Sequence, residues 1–308
     1  MNIHNINNDS SLSLTDTIVT VGMFDGVHAG HRQLLGMLMH ESAARGLKPV
    51  VVTFDRHPRR VLHPETNFGM LTTTEERMDL IGACGVEDVA VVHFTPEMAR
   101  LTACQFVERC LLPRLGMKVL LLGYDNQFGS KSGNDFDLLP QLAERLRFDI
   151  CSDEAVVIDG LEVSSTKVRE RLKRGDVRGA ALLLGRQYSV GGTVVQGRHV
   201  GRTMGFPTAN MDCDDEKLLP AEGVYAAHAV VEGRRTAAMV NIGRKPTFGI
   251  DDLTVEAHLI DFEGDLYGKQ IVLEFVERLR GTGCYATPEE LGRQLQHDRE
   301  EARRWAGC

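Results

Sequence analysis

No apolar run in this sequence approaches the roughly 18–20 residues that span a bilayer, so a transmembrane helix is not expected. There is no C-x-x-C pair. The seven cysteines (Cys84, Cys104, Cys110, Cys151, Cys213, Cys284 and Cys308) are odd in number and widely spaced, which argues against a disulfide scaffold or a cysteine zinc site and for reduced thiols. There is no basic excess either. Lys and Arg number 35 against 43 Asp and Glu, a net charge of −8, so a generic nucleic-acid coat is not expected, although a local basic patch remains open. The opening MNIHNINNDSSLSLTDT lacks the basic and apolar regions of a secretory leader. It reads as a frayed polar tail, and a cytoplasmic protein is expected. Internal repeats and low-complexity tracts are missing. What is present is ordinary globular composition: 308 residues, 43% hydrophobic and 25% charged, enough for two domains that each bury a core.

Strand and helix alternate over residues 1–185. Thr17–Gly22, Pro49–Phe54, Asp88–Phe94 and Lys118–Gly123 are β-rich runs. Helical stretches separate them: Leu34, Leu35, Leu38 and Met39 form one stripe, Thr74–Cys84 begins with two glutamates, Thr102 and Gln105 suggest a capping box before Phe106–Leu112, and Asp135–Arg147 closes the series. Such alternation implies an α/β fold with a parallel, doubly wound sheet. Residues 186–308 differ. Short strands broken by glycines run from Tyr188 to Arg280 and suggest a small antiparallel barrel. Thr287 as N-cap, Pro288 and Glu290 then open a C-terminal helix with Leu291, Leu295, Ala302 and Trp305 on one face.

The first strand runs into Gly22-Met23-Phe24-Asp25-Gly26-Val27-His28-Ala29-Gly30-His31. Glycines permit a tight turn and close approach of a ligand. His28 and His31 then fall at a helix N-terminus, where free N–H groups favour an anion, at the carboxyl end of a strand. A metal pair is an alternative, but no third ligand completes it nearby; surface histidines capping a helix are another. Further along, Val163-Ser164-Ser165-Thr166-Lys167-Val168-Arg169 sets three hydroxyls before a helix and Arg169 as a fork of donors for phosphate. Taken alone, that segment is better explained as an ordinary N-cap followed by a solvated basic face.

The densest string of the second half is Gly197-Arg198-His199-Val200-Gly201-Arg202-Thr203-Met204-Gly205-Phe206-Pro207-Thr208-Ala209-Asn210. It is not a Walker A loop, because the glycine spacing is one short and Arg stands where Lys is needed. A glycine-rich flap can still wrap phosphates. Thr208 and Asn210 face the same way in an extended segment, and their oxygens suit a Mg²⁺ shared with ATP phosphates; a barrel turn with hairpin glycines is the plainer alternative. Glu256 points away from Val255, Ala257 and Leu259 and is placed to accept a hydroxyl proton, unless it is a solvated strand glutamate. Gly281–Ala286 loosely matches a dinucleotide fingerprint but lacks a βαβ setting.

H-x-G-H with S-S-T-x-x-R resembles the nucleotidyltransferase superfamily. With G-R-T-M-G-F-P-T-A-N, V-E-A-H-L-I-D-F and L-Y-G at 266–268 added, the chain from about Thr17 to Trp305 is similar to the bifunctional prokaryotic riboflavin kinase/FAD synthetase family. The resemblance implies that riboflavin and ATP give FMN in the barrel, and that FMN and a second ATP give FAD and pyrophosphate in the sheet domain. It implies ATP contacts at Gly22, Phe24, Asp25, Gly26, His28, His31, Ser165, Thr166 and Arg169 in the first half, and at Gly201, Thr208 and Asn210 in the second. His28, His31 and Arg169 would serve adenylyl transfer, and Glu256 would activate the ribityl 5′-hydroxyl. Flavin contacts would fall at Asp125, Phe128, Gly205, Phe206 and Pro207, and Mg²⁺ at Thr208 and Asn210. Two departures are visible: Asn126 replaces a usual aromatic, and Asp55-Arg56 stands where Glu-Pro is common. Alternatives are a kinase with a weak or absent adenylyl half, and a non-catalytic flavin- or nucleotide-responsive module. The presence of Glu256, Thr208 and Asn210 argues against the last.

Overall fold

The computed structural model describes residues 1–6, 14–66, 68–124, 128–129, 136–197, 205–247 and 250–307, leaving out the side chains of 245–247 and 250–252. The chain divides into two compact units, Met1–Val163 and Ser164–Cys308.

The first unit contains a six-stranded, wholly parallel sheet. Its strands are β1 (Asn2–Asn5), β2 (Thr17–Val21), β3 (Lys48–Phe54), β4 (Asp88–Val92), β5 (Met117–Leu122) and β6 (Asp149–Ser152), in spatial order β1-β4-β3-β2-β5-β6. Residues in β2 and β3 are buried on both faces, as parallel strands covered by helices require. Ile18 and Val51 face α1 (Ala29–Arg45) and, after the short α2 (Pro58–Leu62), α3 (Thr74–Gly82). Val19, Val21, Val50 and Val52 face the opposite core, which α4 (Ala103–Phe106), α5 (Leu112–Leu115) and α6 (Leu139–Leu146) cover. The chain leaves β2 to build β3 and β4 on one side, then returns to lay β5 on the other. The crevice beside the carboxyl end of β2 is therefore the topological switch point, where open α/β sheets bind ligands.

One expectation fails at the N-terminus. Asn2–Asn5 is not a frayed tail but the edge strand, pairing in parallel with β4 from Asn2↔Asp88 to Asn5↔Val91. His4 Nε2 lies 2.7 Å from Asp88 Oδ1, and Asn2 Nδ2 donates to the same oxygen at 3.1 Å. Ile6 is then buried in the core, and Arg114 donates to its carbonyl. An edge strand needs partners on one side only, so polar residues suffice and the apolar pattern stays weak. Two helix starts are sharper than expected. Thr73, not Thr74, caps α3 in a capping box with Glu76, and the Thr102–Gln105 box caps α4. A short hairpin, β7 (Val157–Ile158) with β8 (Leu161–Glu162), ends the unit.

The second unit begins with α7 (Ser165–Lys173) and α8 (Val177–Leu184). Then β9 (Tyr188–Val195), β10 (Ala209–Cys213), β11 (Gly223–Val231), β12 (Arg234–Thr247), β13 (Ile250–Leu259) and β14 (Gln270–Arg280) close into an antiparallel barrel of order β10-β13-β12-β11-β14-β9. Closure leaves no edge strand. Inward residues alternate with outward ones: Ala238, Val240 and Ile242 on β12, and Val255, Ala257 and Leu259 on β13, are buried. The helix α9 (Pro288–Ala306), capped by Thr287, packs on the outside of β11, β12 and β14. Beneath it Phe206, Val224, Ala226, Met239, Ile260 and Ala302 form a second apolar cluster. Asp298 of α9 is buried and takes a two-pronged bond from Arg280 at the end of β14 (2.9 and 2.6 Å).

Candidate active site

The first candidate site is built on the turn between β2 and α1. Gly22 N–H donates to Val52 O at 3.0 Å, which ends the strand in register. The turn then adopts left-handed backbone at Phe24 (φ 52°), Gly26 (φ 81°) and Val27 (φ 36°). For a β-branched or aromatic residue such φ is strained, of order 1–3 kcal/mol each, and it persists only where the surroundings impose it. Here the Phe24 and Val27 side chains are locked in the core on the α1 side. Asp25 is also buried, and its carboxylate accepts from Leu71 N–H, Thr72 N–H and Thr72 Oγ1 at 3.0–3.1 Å. Thr72 Oγ1 accepts in turn from Gly26 N–H at 3.1 Å. The side chain of Asp25 is thus a brace within the turn. Arg77 lies behind it, fully buried, with Nη2 donating to Phe54 O at 2.7 Å. Burial pulls this guanidinium below its ordinary value against the opposing pull of Asp25 and Asp55.

His28 ends the turn as N-cap of α1, and its Nδ1 accepts the His31 N–H at 3.3 Å. A ring nitrogen that accepts carries no proton, so the neutral ring keeps its proton on Nε2 as a donor. The two imidazoles stack with centroids 3.6 Å apart, and Phe24 backs His31 at 5.2 Å. Gly30 makes this possible, since a Cβ there would lie 3.3 Å from the His28 ring. Next to this turn, beyond β3 and β4, Asp55 Oδ2 and His93 Nδ1 are 2.5 Å apart, and Asp55 Oδ1 accepts Phe94 N–H at 3.0 Å. Burial pushes the Asp55 carboxyl up, and these two bonds more than reverse it, leaving it below the usual range. The Asp55 departure is therefore a carboxylate held by the His93 ring and the Phe94 N–H.

The remaining expected residues of the first half are spread out. Phe128 packs between Phe106 and Phe136, 5.8 Å from each, in an aromatic row against the core. Asp125 and Asn126 lie outside the described residues. Ser165, Thr166 and Arg169 stand in the first two turns of α7 in the second unit; Ser164 is the cap there, accepting Lys167 N–H at 3.4 Å, and Arg169 is buried.

The second candidate site lies on the outer face of the barrel. Asn210 on β10 stands opposite Glu256 on β13, and Thr208 Oγ1 donates to Glu256 Oε2 at 3.5 Å. Gly197 makes room for Asn210, because a Cβ there would lie 2.0 Å from Nδ2. Gly205 (φ 79°) turns the chain into Phe206. Two residues beyond Glu256, on the same face, the buried His258 donates Nδ1–H to Pro207 O at 2.9 Å, with its ring edge against Phe206 at 5.5 Å. Burial holds this imidazole below its ordinary value. β13 thus grips the Phe-Pro-Thr turn with two outward side chains. Gly201 lies outside the described residues.

Two cavities meet at Thr208. One, of about 550 Å³, is bounded by Pro207, Ala209, Phe262, Asp265, Leu266 and Tyr267. The other, of about 910 Å³, lies between the barrel and α9 and is lined by Phe206, Met239, Glu256, Arg280, Tyr285, Leu291 and Leu295 among others. Thr208 borders both, whereas Glu256 borders only the larger. Asn241, Arg280 and Tyr285 were not singled out from the sequence, whereas alternation along the strand already puts His258 on the Glu256 face. Strand alternation signals Asn241 weakly, since it shares a face with a candidate residue only once register is known. Among the described residues no group of three or more His, Cys, Asp or Glu side chains is arranged to hold a metal, and no helix is long and apolar enough to cross a membrane.

A strained turn and helix N-terminus at a switch point, and a barrel turn whose Thr208 hydroxyl borders two cavities beside Glu256, are the features of a two-domain transferase. The family model for FAD synthetase matches residues 10–167, and that for riboflavin kinase matches residues 184–306. Three relatives share the description bifunctional riboflavin kinase/FMN adenylyltransferase. That of Escherichia coli (strain K12) is 35% identical over 306 residues, 99% of this chain and 97% of its own. That of Pseudomonas fluorescens is 34% identical over 287 residues (93% and 92%), and that of Bacillus subtilis (strain 168) 31% over 293 (94% and 92%). The chain belongs to the family of bifunctional riboflavin kinase/FMN adenylyltransferases. A solved structure described as a macrolide-efflux protein from Streptococcus pneumoniae superposes with a TM-score of 0.87 at 29% identity, covering 98% of this chain and 99% of the other. The parallel sheet and antiparallel barrel of this chain match it along their whole length.

Proposed function

We propose that the barrel phosphorylates riboflavin and the sheet domain adenylylates FMN, in the cytoplasm, with the residues that follow in the named roles. Glu256 takes the proton of the ribityl 5′-hydroxyl, whose oxygen attacks the terminal phosphorus of ATP; the bond to the bridging oxygen breaks and ADP leaves. The flavin occupies the larger cavity, where Phe206, Met239, Leu291 and Leu295 offer apolar surface to its ring, and the nucleotide the smaller. The observation that carries this reading is Thr208: its hydroxyl bonds the Glu256 carboxylate at 3.5 Å and borders both cavities. Attacking and transferred groups would meet there.

The Thr208 hydroxyl and the Asn210 amide carbonyl, next to Glu256, are hard oxygen donors, and a set of so few protein ligands suits Mg²⁺, which keeps waters and phosphate oxygens in its shell. When bound there, Mg²⁺ would neutralise charge on the phosphates. In the first unit, the turn from Gly22 to Gly26 and the N-terminus of α1 supply N–H donors to phosphate, and His28 and His31 add imidazole donors. An oxygen of the FMN phosphate attacks the α-phosphorus of ATP and pyrophosphate leaves. No protein nucleophile is needed, so positioning and charge stabilisation supply the rate. Arg169 offers a guanidinium fork to a phosphate.

The test follows riboflavin, FMN and FAD by chromatography. Glu256→Gln should lower riboflavin phosphorylation about 10²–10⁴-fold and leave FMN-to-FAD conversion intact. The double substitution His28→Ala with His31→Ala should do the reverse. Equal loss of both activities in either variant would overturn the assignment.

A further inference from the structure

The barrel register puts another polar side chain beside Glu256. On β12, Asn241 stands directly opposite Glu256, on the side away from Asn210. Its neighbours Val240 and Ile242 are turned inward and buried, so Asn241 points out with Glu256 and lines the same 910 Å³ cavity. Its Nδ2 lies 3.4 Å from where a Cβ on Gly243 would be, so the amide runs along the cavity wall, which Gly243 also lines. Thr208 opens onto the neighbouring cavity, whereas Asn241 borders the larger one alone.

The charge around this amide is balanced. Arg244 and Arg280 also line the cavity, but Arg244 Nε donates to Glu222 at 2.7 Å and Arg280 is held by Asp298. What a ligand meets next to Glu256 is therefore neutral and able both to donate and to accept. A carboxylate only accepts; a carboxamide does both, as a hydroxyl does. Side chains directly opposite on paired strands have Cβ atoms about 4.5–5.5 Å apart, a spacing that suits two hydroxyls of one chain. We propose that Asn241 is a specificity-determining residue of the kinase half: it bonds a secondary hydroxyl of the ribityl chain while Glu256 takes the terminal one. This rests on the assignment of the barrel as the riboflavin-phosphorylating half. Asn241 thereby selects a polyol over a chain that merely ends in a hydroxyl.

The experiment compares riboflavin with a flavin carrying a 5-hydroxypentyl chain, which keeps the terminal hydroxyl and lacks the secondary ones. Phosphorylation by the full chain is measured for wild type, Asn241→Leu and Asn241→Ser. Loss of one neutral hydrogen bond corresponds to about a tenfold change. Asn241→Leu should therefore lower kcat/KM for riboflavin about tenfold through KM, and leave kcat/KM for the hydroxypentyl flavin and KM for ATP within about twofold. Asn241→Ser, which retains a short donor and acceptor, should fall between. FMN-to-FAD conversion by the same samples reports intact protein. An equal loss on both flavins, or no loss on riboflavin, would overturn the proposal while the kinase assignment stands. Failure of the wild type to phosphorylate riboflavin would remove that assignment and the proposal with it.

Discussion

Replacing Asp25 should disable one activity by a purely structural route and spare the other. Its carboxylate is 2% exposed and holds Leu71 N–H, Thr72 N–H and Thr72 Oγ1. Thr72 in turn holds Gly26 and precedes Thr73, the cap of α3. Asp25→Ala strands two buried N–H groups and takes from the fully buried Arg77 one of its two neighbouring carboxylates. Each orphaned buried donor costs about 1–3 kcal/mol, and Arg77 loses the favourable field of a nearby carboxylate. These overlap, so the first unit should lose about 4 kcal/mol, a large part of the roughly 5–15 kcal/mol typical of a domain. Asp25→Asn keeps the shape and one acceptor oxygen but turns an NH₂ toward a donor, and should cost about 2 kcal/mol. The assay is urea unfolding of the full chain, fitted as two transitions because two units unfold, beside both activities. The transition of the first unit should move down, more for Ala than for Asn. FMN adenylylation should fall with it, because Phe24 and Val27 lose the brace that holds their strained φ. Riboflavin phosphorylation should hold. An unmoved first transition, or parallel loss of both activities, would refute the reasoning.

His258→Leu should lower kcat for phosphorylation up to about 10²-fold by loosening the Pro207–Thr208 turn, while His258→Asn, which keeps an N–H near the Nδ1 position, should recover most of it; steady-state kinetics decide. Removing residues 1–6 should destabilise the first unit by about 2–3 kcal/mol, chiefly through Ile6, as read by its urea midpoint. The docking of β1 should also fail in acid. Burial raises the Asp88 carboxyl, but the bonds from His4 and Asn2 bring it below its ordinary 3.8; a lowered folded value means stability that is complete above that ordinary value and lost as pH falls through the folded one. Hydrogen exchange of β1 against pH would show this. Asp298→Ala should cost the second unit about 3–5 kcal/mol by leaving Arg280 unpaired, and should raise KM for riboflavin because Arg280 lines the larger cavity.

Much of the fold was legible because its signals are local. Continuous β-branched runs such as Val50–Val52 mark strands buried on both faces, and the Thr102 and Thr287 caps mark helix starts within four residues. The N-terminal edge strand was not legible, because its only strong determinant is pairing with Asp88–Val91 more than eighty residues away. The motif residues of the two sites divide along the same line. His28, His31, Thr208 and Glu256 announce themselves by their neighbours in sequence. Asp25 stands in the same string, and its carboxylate is turned to partners 46 and 47 residues on.

That contrast points to how the two sites are held. Each candidate turn is short and glycine-bearing, and the first is also strained at Phe24 and Val27. In each, one buried side chain fastens the turn to a distant element of the same unit: Asp25 to Leu71 and Thr72, and His258 to Pro207, 51 residues before it. Residues that fasten rather than react carry no chemical signature in the sequence, since Asp and His look the same in either role. They become visible only through burial and partner. Because both fastenings stay within their own unit, a change to either should act on one reaction alone, and the separability of the two activities is as much a test of these braces as of the reacting groups.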